Sequence, residues 1–264
     1  MDTALAKLGI RNERRDCSDA EPSDVPDTLH WEQHSDNNDV VSDIIIGFAD
    51  GLTVPFALTA GLSSVGSLNL VILGGLAELF AGAISMGLGA FLATVTEDKH
   101  YRVEEAREWK EVTTSPQAEE REIYEIMAEY GLDRECVRPL VENLMSNKDM
   151  WVKFMMDFEL KLARPRTSRR WISALSMGSS YLLGGLVPMI PYFAFKDVNH
   201  ALFTSIGVTV LILIVFGYVK AVVTGCNRRD AVISSLQTLF IGILAAATSY
   251  GIVRGFNQIR PVHL

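Results

Sequence analysis

Two carboxylates, Asp50 and Glu78, stand well inside long runs of apolar residues. An acid at the centre of a bilayer costs roughly 2.5–3.5 kcal/mol even on the gentler insertion scales, so it marks an ion or proton path. The alternative is a protonated acid held in an interhelical hydrogen bond. Asp43 precedes Asp50 by seven residues, and two turns of helix put both acids on one face at two depths. At the water boundary Asp43 serves either as a helix N-cap or as the mouth of that path. Glu78, Gly82, Ser85 and Met86 occupy one sector of the next helix, with the Met86 thioether two turns from the carboxylate. Carboxylate and thioether together suit late first-row divalent ions better than calcium or magnesium, which take all-oxygen sites; a methionine in such a helix also serves as plain packing.

A second constellation lies in a polar stretch. Glu104, Glu105, Glu108 and Glu111 recur at three- and four-residue helical spacing, Glu119 and Glu122 repeat it on the next helix, and Met155, Met156 and Glu159 form a third group. Glutamates three apart on facing helices are how carboxylate-bridged metal sites are built in helical bundles. The competing reading is a solvated acidic face neutralised by Arg102, Arg107, Lys110 and Arg121 through pairs four residues apart. No CxxC, HExxH or paired-histidine motif occurs, so tetrahedral zinc chemistry is unsupported. Nor is there a phosphate-binding glycine loop for ATP-driven work.

These residues need elements to hold them. Of 264 residues 48% are hydrophobic and 21% charged, unevenly: 44–96, 171–195, 201–219 and 231–253 are nearly free of charge. Apolar blocks of about 20 residues, or multiples of that, cross a membrane as helices. The predicted fold is therefore all-α: a polytopic membrane protein with five transmembrane helices. Residues 39–96 supply helices one (about Asp43 to Ser64) and two (about Leu68 to Thr96), and 169–256 supply three (Trp171 to Phe195), four (Ala201 to Tyr218) and five (Ala231 to Val253). Between them, 97–168 forms a cytosolic helical insertion, with helices expected over Gln117 to Tyr130 and within Asp133 to Leu162. The polar, acidic residues 1–38 read as a disordered tail and 257–264 as a C-terminal tail.

Gly47 and Gly51 form a GxxxG around Asp50, and Ala57 with Gly61 repeats the small-residue spacing; this predicts close approach by a partner helix, including the same helix of a second copy. Arg164, Arg166, Arg169 and Arg170 before helix three, with Lys220, Arg228 and Arg229 before helix five, put the N-terminus and the insertion in the cytosol and the C-terminus across the membrane. A net charge of −8 without a clustered basic surface argues against a nucleic-acid partner.

The segments "SDIIIGFADGLTVPFALTAGLS", "GLAELFAGAISMGLGAFLA", "GGLVPMIPYF", "FGYVK" and "IGILAAATSYGIVR" occur in that order between about Asp43 and Gly255. In this the chain resembles the vacuolar iron transporter family of plants and fungi. The resemblance implies a homodimer, with the path between the first helices, moving cytosolic Fe(II), and often Mn(II), into the vacuole in exchange for protons, with no cofactor beyond the metals bound or carried. It implies Asp50 as the central transport ligand, with Asp43, Glu78 and Met86 along the path. In the insertion it implies Glu108, Glu111, Glu119, Glu122, Met155, Met156 and Glu159 as metal ligands. The competing functions are a metal-gated divalent-cation channel without proton coupling and an intramembrane aspartyl enzyme. The latter needs two acids on different helices and a GxGD motif that is missing here; otherwise the chain is expected not to be an enzyme.

Overall fold

The computed structural model describes residues 38–165 and 168–259. The two expected tails fall outside this range, apart from Asn38 and the last helical residues up to Ile259, and Arg166 is outside it as well. Among the described residues there are eight helices and no strand: α1 Asn38–Ser63, α2 Leu68–Thr114, α3 Pro116–Glu129, α4 Arg134–Ser146, α5 Lys148–Phe158, α6 Arg169–Ala194, α7 Val198–Val223 and α8 Arg228–Ile259. Five of them, α1, α2, α6, α7 and α8, are long and apolar enough to cross a membrane. The chain divides into two compact units, one made of Val103–Ala163 and the other of the residues up to Arg102 and from Arg164 onward.

The apolar helices outrun their apolar cores. Helix α1 begins five residues before Asp43, which is thus an interior residue and not an N-cap. Helix α8 continues six residues beyond Val253, to Ile259. Backbone hydrogen bonding carries a helix through polar residues until a cap or a turn stops it. The stops here are local: Gly66, Gly131 and Gly225 have φ of 86°, 79° and 79° and end α1, α3 and α7, a left-handed backbone that only glycine adopts freely. At 1.5 Å per residue, the 47 residues of α2 make a rod of about 70 Å, more than twice a hydrocarbon core of about 30 Å. Its apolar portion up to Thr96 is by itself long enough to cross such a core.

Helix α6 is the hub of the apolar unit. A Cβ built on Gly47 or Gly51 of α1 would meet the backbone carbonyls of Met177 and Tyr181 on α6, so the GxxxG is occupied within the chain. On its other side, Gly178 of α6 packs against Gly87 of α2, where a Cβ on Gly178 would lie 3.5 Å from the Gly87 Cα. Gly61 of α1 abuts Ser249 and Val253 of α8, and Gly217 of α7 abuts Ser235 of α8. Where the apolar helices reach charge, ion pairs bind three of them: Arg169 of α6 to Asp39 of α1 at 3.1 Å and to Glu97 of α2 at 3.9 Å, and Arg170 of α6 to Asp98 of α2 at 2.7 Å.

In the other unit, α3, α4 and α5 are short amphipathic helices. Pro116 opens α3 and the Asn147 side chain caps α5 by accepting from the Met150 N–H at 3.3 Å. Their buried faces carry Ile123 and Met127, Val137 and Val141, and Trp151, Val152, Met155 and Met156.

Candidate functional site

In the apolar unit the acids lie around α6. Glu78 of α2 accepts a hydrogen bond at Oε1 from the Tyr181 hydroxyl, while its Oε2 is buried without a partner. Gly82, one turn on, leaves the space that the Tyr181 ring fills. The Tyr181 hydroxyl is also within electrostatic reach of Asp50. Asp50 is exposed on the face of α1, flanked by Ile46 and Val54 at 44% and 45% exposure, and Asp43 is half-buried two turns away. Met86 is half-buried and packs on the cluster of Leu79, Tyr181 and Met189. Sequence spacing singles out Asp50, Glu78 and Met86 but not Tyr181. A tyrosine within an apolar run carries no signal of its own, and it sits 103 residues from its partner.

In the polar unit three of the seven anticipated ligands converge. Carboxylate oxygens of Glu108 (α2), Glu119 (α3) and Glu159 (just after α5) all lie within 4.8 Å of one another. One divalent ion with oxygen bonds of about 2.1 Å closes such separations with small side-chain adjustments. Glu108 and Glu119 are only 2% and 4% exposed, and each has an Oε2 with no hydrogen-bond partner. Burial, followed by the charges of Glu159, Glu119, Glu111 and Glu122, pushes Glu108 up to about 7. Burial, then Glu122, Glu159 and Glu111, pushes Glu119 up to about 7 as well. Glu159, at the exposed rim, is raised by the protein packed around its carboxyl and then by Glu122 and Glu111. Buried carboxylates that lack donors and repel one another are what a cation would relieve.

The remaining four are placed differently. Glu111 pairs with Arg107 at 3.2 Å, and Glu122 is half-buried; both act on the trio through charge. Met155 and Met156 are buried on α5, and the backbone N–H of Glu159 donates to the Met155 carbonyl at 2.9 Å. A thioether one turn from a carboxylate is the mixed set that late first-row ions accept. Trp151, also buried, precedes Met155 by one turn, and Trp109 follows Glu108 directly. At this acidic face Arg107 pairs with Glu104 and Glu111, so the solvated-face reading accounts for that edge and not for the buried trio.

Five apolar helices that carry an exposed Asp50 and a Glu78 held by Tyr181, and a separate helical unit with buried, unpaired carboxylates, define the class: a multi-pass membrane protein equipped to handle cations. The sequence model of the VIT family matches residues 41–254. The chain belongs to this family, whose members are transporters and not enzymes. It is 46% identical over 231 residues to vacuolar iron transporter 1 of Tulipa gesneriana, covering 87% of this chain and 92% of that one. To vacuolar iron transporter 1 of Oryza sativa subsp. japonica it is 47% identical over 226 residues, covering 85% and 88%. To Protein CCC1 of Saccharomyces cerevisiae it is 37% identical over 261 residues, covering 92% and 81%.

Proposed function

We propose that the chain moves Fe(II), and Mn(II) with it, from the cytosol into the vacuole in exchange for protons, working as a homodimer whose path runs between the α1 helices. The observation that carries this reading is Asp50, exposed between the exposed apolar residues Ile46 and Val54. Turned to lipid, such a carboxylate is costly. A second copy set against the same face covers the apolar residues and places two Asp50 carboxylates beside one aqueous path. Since Gly47 and Gly51 are taken up by α6, the dimer surface is the Ile46, Asp50 and Val54 stripe and not the GxxxG.

In this reading, metal and protons compete for the same oxygens of Asp50 and Glu78, because a divalent cation favours the ionised carboxylate and a proton removes it. Neutral cytosol leaves the acids free to bind, and an acidic lumen protonates them and releases the ion. Met86 supplies a soft donor along the way. The trio Glu108, Glu119 and Glu159, with Met155, Met156, Glu111 and Glu122 around it, gathers the ions on the cytosolic side, a reading supported by the arginine-rich approaches to α6 and α8. Names of relatives support iron as cargo and the vacuole as destination.

The test is internal pH in proteoliposomes with an acidic lumen and a clamped potential. Fe(II) or Mn(II) uptake should alkalinise the lumen and slow when an ionophore removes the pH gradient. Uptake that moves no protons would replace the exchanger with a channel.

A further inference from the structure

Between α1, α7 and α8 the surface of the apolar unit opens into a groove of about 380 Å³, a volume within the range of ligand sites. Phe56 and Ala60 of α1 and Leu213 of α7, all nearly fully buried, make its floor, and the exposed Phe203 of α7 and Ala247 of α8 stand at its rim. Among the described residues that line it, Tyr250 alone brings a polar side-chain atom. Such a lining gives water no partners, so the groove takes apolar matter.

One end of the groove is charged. Ile243, Ala247, Tyr250 and Arg254 recur along α8 at intervals of four, three and four residues, so Arg254 stands on the groove-lining face one turn beyond Tyr250. Its guanidinium donates to the Tyr250 hydroxyl at 3.1 Å and lies 5.7 Å from the centre of that ring. Among the described residues no carboxylate pairs with Arg254. Asp197, at the start of α7 on the same end of the bundle, gives its carboxylate to His200 at 2.6 Å. The remaining N–H donors of Arg254 form the planar fork that suits a phosphate. A cation without a counter-charge at the head of a dry groove has the chemistry of a phospholipid turned inside out. A headgroup that carries no cation of its own balances it best.

We infer that this groove binds one anionic phospholipid from the leaflet at the end of the bundle where α1 stops, with its phosphodiester on Arg254 and an acyl chain laid between α7 and α8 over Phe56 and Ala60. Phe56 follows Asp50 by six residues, about a third of a turn away round α1, so the groove and the Ile46, Asp50 and Val54 stripe face different ways. The site therefore stands or falls without the transport reading. Its test is native mass spectrometry of the full chain in detergent, titrated with phosphatidylglycerol or with phosphatidylcholine of the same chains. The unsubstituted protein should retain one phosphatidylglycerol in preference to phosphatidylcholine. Arg254→Gln, at an exposed position, is expected to weaken phosphatidylglycerol about tenfold, the factor that a charge-assisted hydrogen bond supplies, and to leave phosphatidylcholine unchanged. Ala247→Phe, which fills the groove from its exposed rim, should weaken both lipids. Equal retention of the two lipids by the unsubstituted protein, or phosphatidylglycerol retention that Arg254→Gln leaves unmoved, means annular lipid only and overturns the site. Exclusion of both lipids from every form would mean that a second copy covers the groove, and overturns it too.

Discussion

The Tyr181 hydroxyl donates to Glu78 while the carbonyl of the same residue lies against Gly51, the neighbour of Asp50. One residue of α6 thus holds the side chain of one intramembrane acid and abuts the helical turn that carries the other. Movement of α6 is felt at both.

Tyr181→Phe keeps the ring in the space beside Gly82 and removes only the donor. A hydrogen bond to a charged group is worth about 1.5–3 kcal/mol, so metal uptake into proteoliposomes is expected to fall about tenfold or more, with the melting temperature lowered but the protein still folded at the assay temperature. Wild-type uptake by the variant would reduce the bond to a packing detail.

Gly51→Ala is expected to be disproportionately damaging for a single methyl. Its Cβ would run into the Tyr181 carbonyl, a backbone atom that cannot swing aside. Overpacking of this kind costs typically 1–3 kcal/mol, and a thermal melt in detergent should show it, together with reduced transport as Tyr181 is displaced. Gly89→Ala, with open space around it, is the control and should behave as wild type.

Asp50→Asn is expected to abolish uptake while leaving cation binding by residues 103–163 intact, since the change lies in the other unit. Calorimetry on the whole protein measures the second quantity. Transport at wild-type rate at equal expression would remove Asp50 from the path.

Glu108→Gln with Glu119→Gln should lower the number of Mn(II) ions bound per chain in the same calorimetric experiment. The unsubstituted protein should also release protons on binding below pH 7, because both carboxyls sit near 7 without metal, and release should fade above pH 8. An unaltered stoichiometry would make these glutamates part of a solvated acidic face.

The same two groups set a pH dependence of stability. Their pKa in the folded chain, about 7, is above the ordinary 4.5, so folding is favoured by proton uptake. That contribution is fully present below about pH 4.5 and is lost as the pH rises through 7. Allowing for solvent screening, metal-free protein should lose ~1–2 kcal/mol between pH 5 and pH 8 in the helices around the trio. Hydrogen exchange of the α3 and α5 amides reads the loss, and added Mn(II) should restore protection. Equal protection at both pH values would contradict the strain assigned to the trio.

Charge inside apolar runs drew attention to Asp50 and Glu78 in the sequence, since a carboxylate in hydrocarbon needs a proton, a partner or an aqueous path. Three-residue spacing likewise pointed to Glu108 and Glu119. The partners were not legible. GxxxG encodes how close another helix comes and not which one, and α6 took the place expected of a second α1. Tyr181 looks like one more apolar residue until α2 is set beside α6. The start of α1 and the end of α8 were misplaced by five and six residues because hydropathy reports where lipid stops, whereas these helices reach Asn38 and Ile259. Met155 and Glu159 share a face by spacing alone, but only the fold of α5 back onto the glutamates of α2 and α3 joins them.

Two indoles close along the chain to Glu108 and Met155 give the protein an optical signal of its own. Trp151 lies one turn from Met155, and Trp109 is bonded in sequence to Glu108. Open-shell ions such as Mn(II) and Fe(II) quench indole emission at short range, whereas closed-shell Mg(II) does not. The intrinsic ultraviolet fluorescence of the unlabelled chain should therefore dim as such an ion arrives. That gives a spectroscopic titration of the purified protein in which the bound ion is its own dye, without radioisotope or chelator.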